Sequence, residues 1–331
     1  MTMTQRPAVL VARNIFPQVV DHLRQHFEVE ANEQAADWSH DELVRRLKGK
    51  VGAFVSSSEP IDSGLLDANP GLRVLCSMSV GYNNIDIAAC TARGVLVTNA
   101  PDVLTDTTAD FGFALMMATA RRIAESEHFL RAGLWQRWAY DMFVGADVHG
   151  ATLGILGMGR IGQAIAKRGA LGFGMPVIYH NRSRLAPEIE APLGARWVEK
   201  AELLRQADHL VIVVPYSPSS RHAIGAAELA LMKPTATLTN IARGGVVDDA
   251  ALAQALAERR IAAAGLDVFE GEPEVHPALL KVPNVVLTPH IASATVATRL
   301  KMAMLAASNL IAVLNGKAPL TPVNPEVLRT R

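Results

Sequence analysis

The sequence predicts an α/β protein of two doubly wound parallel-sheet domains. Short apolar, β-branched runs alternate with amphipathic helical stretches, and this rhythm occurs twice along the 331 residues. A chain of that length holds two domains of ordinary size, and 50% hydrophobic with 19% charged residues supplies apolar side chains for two cores. In the first part the runs are AVLV near Val9, VGAFVS near Val51, LRVLC near Val74 and VLVTN near Val97, separated by stretches such as QVVDHLRQHF and DELVRRL. The rhythm restarts at TLGILG, from Thr152, and continues through MPVIYH, HLVIVV, ATLTNI, AAGLDV and VVLTP. Between the two parts, Thr105 to Arg131 reads as a helix-forming region that starts at a Thr or Asp cap and buries Phe111, Leu115 and Met116 on one side. After VVLTPH, the stretch SATVATRLKMAMLAASNLIAVLNGK reads as a long amphipathic helix stopped near Asn315-Gly316.

Lys plus Arg and Asp plus Glu both total 32, so no charge excess draws the chain to nucleic acid or an anionic membrane. Cys76 and Cys90 are the only cysteines, not in a CxxC pair, and read as free thiols in a reducing compartment. The N-terminus lacks the apolar region of a signal peptide, and the longest strongly apolar stretch, Phe111 to Ala120, is too short to span a bilayer. The expectation is a cytoplasmic protein. No Cys/His cluster suggests a metal, and no aromatic-basic interleaving suggests nucleic acid.

Gly157, Gly159 and Gly162 lie in GMGRIG, between the strand-like TLGIL and the helix-like RIGQAIAKRGA. In that context Gly157 permits a tight turn, Gly159 lets backbone approach a pyrophosphate, and Gly162 lets helix pack on strand. About twenty residues on, where such units carry an acid for the adenosine ribose, the sequence reads HNRSR instead. Asn181 removes the repulsion an acid would exert on a 2′-phosphate, while Arg182, Ser183 and Arg184 are suited to bind one. NADP(H) is therefore expected, with NAD(H) also usable; a basic, solvated β-α loop is the competing reading. Arg243 in NIARGGVVDD, Glu272 in LDVFEGEPE and His290 in VVLTPHIASAT each follow a strand-like run, at the sheet end where ligands bind. Together they suit reduction of a 2-oxoacid: Arg243 holds the carboxylate and polarises the ketone, His290 donates a proton, and Glu272 favours the protonated imidazole.

GMGRIG, NIARGG, LDVFEGEP and TPHIASAT, in that order and at those separations, resemble the signature of the D-isomer-specific 2-hydroxyacid dehydrogenases. SVGYNNIDI, VLTDTTAD, DVHGATLGILGMGRIGQAIAKR and the C-terminal VNP are most similar to the glyoxylate/hydroxypyruvate reductase B and 2-ketogluconate reductase group. The resemblance covers essentially the whole chain. It implies a flavodoxin-like outer substrate domain from residues 1–101 plus 291–331, and a Rossmann cofactor domain from 102–290 with a dimerisation arm near 121–150. The active site would lie in the cleft between them. It further implies that the Val80 and Gly81 backbone receives the substrate carboxylate, and that Asp267 meets the nicotinamide carboxamide. Pro215 would line the cofactor, as would Arg160 and Ile161 at the start of the glycine-turn helix. Tyr216 departs from the smaller aliphatic residue expected there. Trp135, Trp138, Tyr140 and Phe143 crowd LWQRWAYDMFVG; core packing is the competing reading of that density, but the resemblance favours a homodimer arm that carries Trp138 into the partner's substrate pocket, so a homodimer is expected. Glyoxylate and hydroxypyruvate lead as substrates, with 2-ketogluconate close behind. The rivals are a non-catalytic dinucleotide sensor and a phosphoglycerate dehydrogenase. The latter would require a regulatory domain beyond Arg331 and more basic residues around Ser56 to Glu59.

Overall fold

The computed structural model describes residues 6–34 and 36–329. The chain divides into two compact units, Thr105–Ala294 and a split unit formed by the chain up to Leu104 together with Thr295 onward. Both are α/β, and in each all paired strands run parallel.

In the split unit, β1 (Ala8–Val11), β2 (Glu28–Ala31), β3 (Gly52–Val55), β4 (Val74–Ser77) and β5 (Leu96–Thr98) form a sheet in the order β2-β1-β3-β4-β5. Four of these are the apolar runs of the sequence. The edge strand β2 escapes notice because Glu28 and Glu30 interrupt its apolar character, which an edge position tolerates. Alternate residues serve two cores. Val9, Val11, Phe54, Val74 and Leu96 face the helices Pro17–Arg24 and Val296–Leu314, whereas Leu10, Val55, Leu75 and Val97 face Leu43, Leu47, Leu65 and Leu66. The helix Val296–Leu314 is long and apolar enough to cross a membrane, contrary to the reading of Phe111–Ala120 as the longest such stretch. Its Ala303, Ala306, Ala307 and Leu310 are buried in the sheet core, so it is built as a core helix. The small residues let it lie close: a side chain at Gly52 would meet Leu310 Cδ1 at 2.8 Å.

In the other unit the order is β12-β11-β10-β9-β6-β7-β8, with β6 (Leu153–Leu156), β7 (Val177–His180), β8 (Arg196–Trp197), β9 (His209–Ile212), β10 (Thr237–Asn240), β11 (Ala263–Leu266) and β12 (Val285–Leu287). The strand order reverses between β6 and β9, and the crevice beyond the carboxyl ends there is where such sheets bind ligands. Six strands match the apolar runs; β8, two residues long, is too short to give a periodic signal.

The region expected as one helix is two, Thr105–Ala120 and Ile123–Arg131, separated by Arg122 in the left-handed region at φ 53°. The first buries Leu115 and Met116 as expected, but Phe113 is its core phenylalanine and Phe111 only half-buried. Gly112 is buried beside Phe113, where a side chain would press on Ile241.

Candidate active site

The glycine turn closes the end of β6. Gly157 adopts φ 102°, its N–H donates to the His180 carbonyl (3.0 Å), and a Cβ there would stand 2.8 Å from the Val213 backbone beyond β9. A Cβ at Gly162 would overlap the Gly157 carbonyl, so only glycine lets the helix Arg160–Lys167 leave so directly from the turn. Gly159, the residue preceding that helix, has nothing within 4 Å of the place a Cβ would occupy. Open space before a helix N-terminus fits a pyrophosphate.

The loop after β7, in which both arginines are expected to face a phosphate, is organised by internal hydrogen bonds. Asn181 Oδ1 accepts from Met158 N (2.7 Å), fastening the loop to the glycine turn, and the Asn181 carbonyl accepts from Trp197 Nε1 (3.0 Å). Arg184 grips the buried Glu190 with Nε and Nη2, at 3.0 to Oε1 and 2.6 Å to Oε2 respectively. The Tyr179 hydroxyl donates to the same carboxylate (2.6 Å) and accepts from Leu185 N (2.8 Å); burial, with the bond to Glu190, pushes the phenol up to about 12 against the Leu185 N–H. Arg184 thus braces the loop while its side chain stays 65% exposed, beside the exposed Arg182 and Ser183.

Arg243, Glu272 and His290, 47 residues apart in sequence from first to last, are brought together at the carboxyl ends of β10, β11 and β12. His290 Nδ1 lies 2.7 Å from Glu272 Oε2, and Glu272 Oε1 accepts from Phe269 N (3.3 Å). Burial pushes the Glu272 carboxyl up, but the His290 bond and charge, the Phe269 N–H and the Arg243 charge outweigh it and hold the group below the usual glutamate range. Burial lowers the Arg243 guanidinium, and the Glu272 charge opposes this. Arg243 Nη1 donates to the Ala242 carbonyl (2.7 Å), and Asn240 Nδ2 to the Arg243 carbonyl (3.2 Å). The next residue explains the approach of the two loops: a Cβ on Gly244 would overlap the Phe269 carbonyl, so NIARGG needs glycine there to bring Arg243 against the segment that carries Glu272.

His290 itself sits at φ 53°. Its N–H donates to the carbonyls of Asp267 (2.9 Å) and Thr288 (3.1 Å), and Asp267, fully buried, accepts from Thr288 Oγ1 (2.7 Å), Ile291 N (2.8 Å) and Ala292 N (2.8 Å). Asp267 therefore builds the turn that presents the imidazole, and burial raises its carboxyl in spite of those donors.

Sequence reasoning missed Glu270. It pairs with Arg221 Nη2 (3.1 Å) and His222 Nε2 (2.9 Å), tying the segment after Pro215 to the segment bearing Glu272. Tyr216 packs where a Cβ on Gly245 would meet its ring at 3.1 Å, so the tyrosine is accommodated by a glycine of the Arg243 loop. In the split unit, Val80 and Gly81 follow β4; Asn99 Nδ2 donates to the Val80 carbonyl (2.8 Å), and Ala100 N to the Ser79 carbonyl (3.0 Å). The aromatic stretch is not core: Trp138 and Tyr140 are 74% and 89% exposed, and Trp135 54%. Phe143 alone packs inward, edge-on to Phe129 with the Arg122 guanidinium 5.1 Å from its ring centroid.

A doubly wound sheet with a glycine turn and open space before a helix N-terminus at its switch point, and an imidazole clamped by a carboxylate beside an arginine, has the parts of a dinucleotide-dependent oxidoreductase. Residues 113–292 match the family model for the D-isomer specific 2-hydroxyacid dehydrogenase NAD binding domain. Over 330 residues the chain is 49% identical to a glyoxylate reductase of Thermococcus onnurineus, covering 98% of each. It is similar to the crystal structure of an NADPH-dependent glyoxylate/hydroxypyruvate reductase from Sinorhizobium meliloti in complex with NADP and malonate (38% identity, TM-score 0.86, 96% of this chain and 97% of that one). The TT0316 protein from Thermus thermophilus matches at 41% identity and TM-score 0.89, over 96% of this chain and 99% of that one. The chain belongs to the D-isomer specific 2-hydroxyacid dehydrogenases and is an oxidoreductase that binds a nicotinamide dinucleotide.

Because the native Glu272 carboxyl is held below its ordinary value, its ionisation stabilises the fold above the unfolded-state pKa of about 4.3. The stability difference between the natural protein and Glu272→Gln, measured by urea unfolding, is expected to be constant between that pH and about pH 5.5, below the ordinary imidazole range near 6.5. It should shrink as pH falls through the lowered native value. A difference that stays flat down to pH 3, or about one unit below the glutamate reference, contradicts the ion pair.

Proposed function

We propose that the protein reduces glyoxylate and hydroxypyruvate to the D-2-hydroxyacid with NADPH in preference to NADH. The observation that carries the chemistry is the 2.7 Å contact between His290 Nδ1 and Glu272, which leaves Nε2 as the ring nitrogen for proton transfer. The names of the relatives from Thermococcus and Sinorhizobium support the substrate class.

The unit Thr105–Ala294 is read as the cofactor domain, the split unit as the substrate domain. Gly157, Gly159, Arg160, Ile161 and Gly162 hold the pyrophosphate, and Asn181, Arg182 and Ser183 meet the adenosine ribose and its 2′-phosphate. Pro215 lines the nicotinamide side, and Asp267 stands by the carboxamide through the turn it organises. A nicotinamide dinucleotide bound there supplies the hydride for a carbonyl carbon. Arg243 binds the carboxylate of the 2-oxoacid and polarises its ketone, with the Val80 and Gly81 backbone receiving the same carboxylate. His290 donates its Nε2 proton to the carbonyl oxygen, and Glu272 stabilises the imidazolium beforehand and keeps the ring from turning. Arg184 holds the loop through Glu190, and its exposed guanidinium stands with Arg182 and Ser183 for the 2′-phosphate.

Trp135, Trp138 and Tyr140 are large and exposed together, and we read the arm they form as the contact of a homodimer, with Trp138 reaching the partner's substrate pocket.

Three outcomes follow. His290→Ala is expected to lower kcat for glyoxylate by at least about 100-fold with little change in cofactor affinity, as loss of a general acid does; near-natural turnover reassigns the proton donor. Arg182→Ala should lower kcat/KM for NADPH by about ten- to a hundredfold while sparing NADH, the worth of a charge-assisted hydrogen bond; equal loss with both cofactors removes the 2′-phosphate from the assignment. Sedimentation or gel filtration at micromolar concentration should give twice the 35.5 kDa chain mass, and a mass of one chain contradicts the dimer.

A further inference from the structure

In the split unit, β1 and β3 are neighbours at the point where the strand order reverses, and Arg13 leaves the end of β1 there. The sequence around Ser56 to Glu59 shows no cation, but the fold brings this one to it. Arg13 Nε donates to Glu59 Oε1 (2.8 Å), and Glu59 Oε2 accepts from Ser56 N (2.5 Å). Arg13 Nη2 lies 2.9 Å from Asp37 Oδ2, yet it is buried without a properly aligned hydrogen bond. Asn84 Nδ2 donates to the carbonyls of Ser56 (3.0 Å) and Glu59 (2.7 Å), which stitches the β3 loop to the loop that carries Val80 and Gly81. A guanidinium is thus present at the carboxyl edge of three adjacent strands, overbalanced by two carboxylates.

We infer that the Arg13–Glu59–Asp37 cluster selects substrates by charge, favouring 2-oxoacids whose only anionic group is the carboxylate beside the ketone and disfavouring those with a second anion. This rests on the function proposed above, in which Val80 and Gly81 receive that carboxylate. The formal charge of the cluster is negative by one: a second carboxylate or phosphate in the neighbouring substrate region meets net repulsion, although the arginine that would bind it is in place. Here the Glu59 side chain is 8% exposed and the Arg13 side chain 27%, so the carboxylate is sunk while the guanidinium keeps a face to solvent.

The test is initial-rate kinetics of the full chain with saturating NADPH on 2-oxoglutarate and its uncharged-tail counterpart 2-oxopentanoate, which separates tail charge from tail length. Compared are the natural protein, Asp37→Asn, Glu59→Gln, the double variant, and the double variant carrying Arg13→Gln. The ratio of kcat/KM for 2-oxoglutarate to that for 2-oxopentanoate should rise in each single variant. In the double variant, whose cluster is left with one uncompensated cation, it should rise about tenfold or more and return when Arg13→Gln is added. An unchanged ratio in a folded double variant overturns the inference, as does a gain that survives loss of Arg13. Asp37 is exposed, so Asp37→Asn leaves the buried Glu59 in place; should Glu59→Gln not fold, an unchanged ratio in Asp37→Asn overturns the inference by itself. Absence of glyoxylate reduction by the natural protein is a different result, and it counts against the proposed function.

Discussion

A carboxylate with no exposure, Asp267, sits at the end of β11, and the turn that presents His290 is assembled on it. Burying such a charge is costly unless donors surround it, and the Thr288 hydroxyl with the N–H groups of Ile291 and Ala292 provide them. That arrangement lets a non-glycine residue persist in the left-handed region, where the backbone costs on the order of 1–3 kcal/mol. His290 is held there by two carbonyls and by Glu272, so its ring position is determined from both the main chain and the side chain.

The same strand ends depend on a second constraint, of space instead of charge. Gly244 and Gly245 remove two side chains between the Arg243 loop, the Glu272 segment and Tyr216. Glu270 then ties this group to Arg221 and His222. Loops from four strands are in this way locked to one another by a few contacts, and the order of strands explains why they are from neighbouring positions in the sheet.

The sheet strands with continuous apolar runs, the glycine turn and the order of the Arg, Glu and His motifs were all legible in the sequence, because each is a local pattern. What escaped is what depends on partners. Glu28 and Glu30 disguise a strand that only an edge position permits. The partnership of Arg184 with Glu190 depends on a short helix that brings the acid beneath it, and Arg13 has no visible relation to Glu59, 46 positions further along the chain. Aromatic density alone serves a core or a surface equally well; the reading of this segment as an arm came from the resemblance, and the exposure of Trp138 and Tyr140 agrees with it.

The helix Val296–Leu314 follows the whole of the other unit in the chain, although it covers one face of the first sheet. During biosynthesis, Val9, Val11, Phe54 and Val74 emerge long before Ala303, Ala306, Ala307 and Leu310 exist to cover them. The intervening unit has its own core, and all of its residues are made before that helix. The order of completion is therefore the reverse of the order of synthesis: the domain begun first is the last to close, and a nascent chain carries an uncovered apolar sheet until its final helix leaves the ribosome.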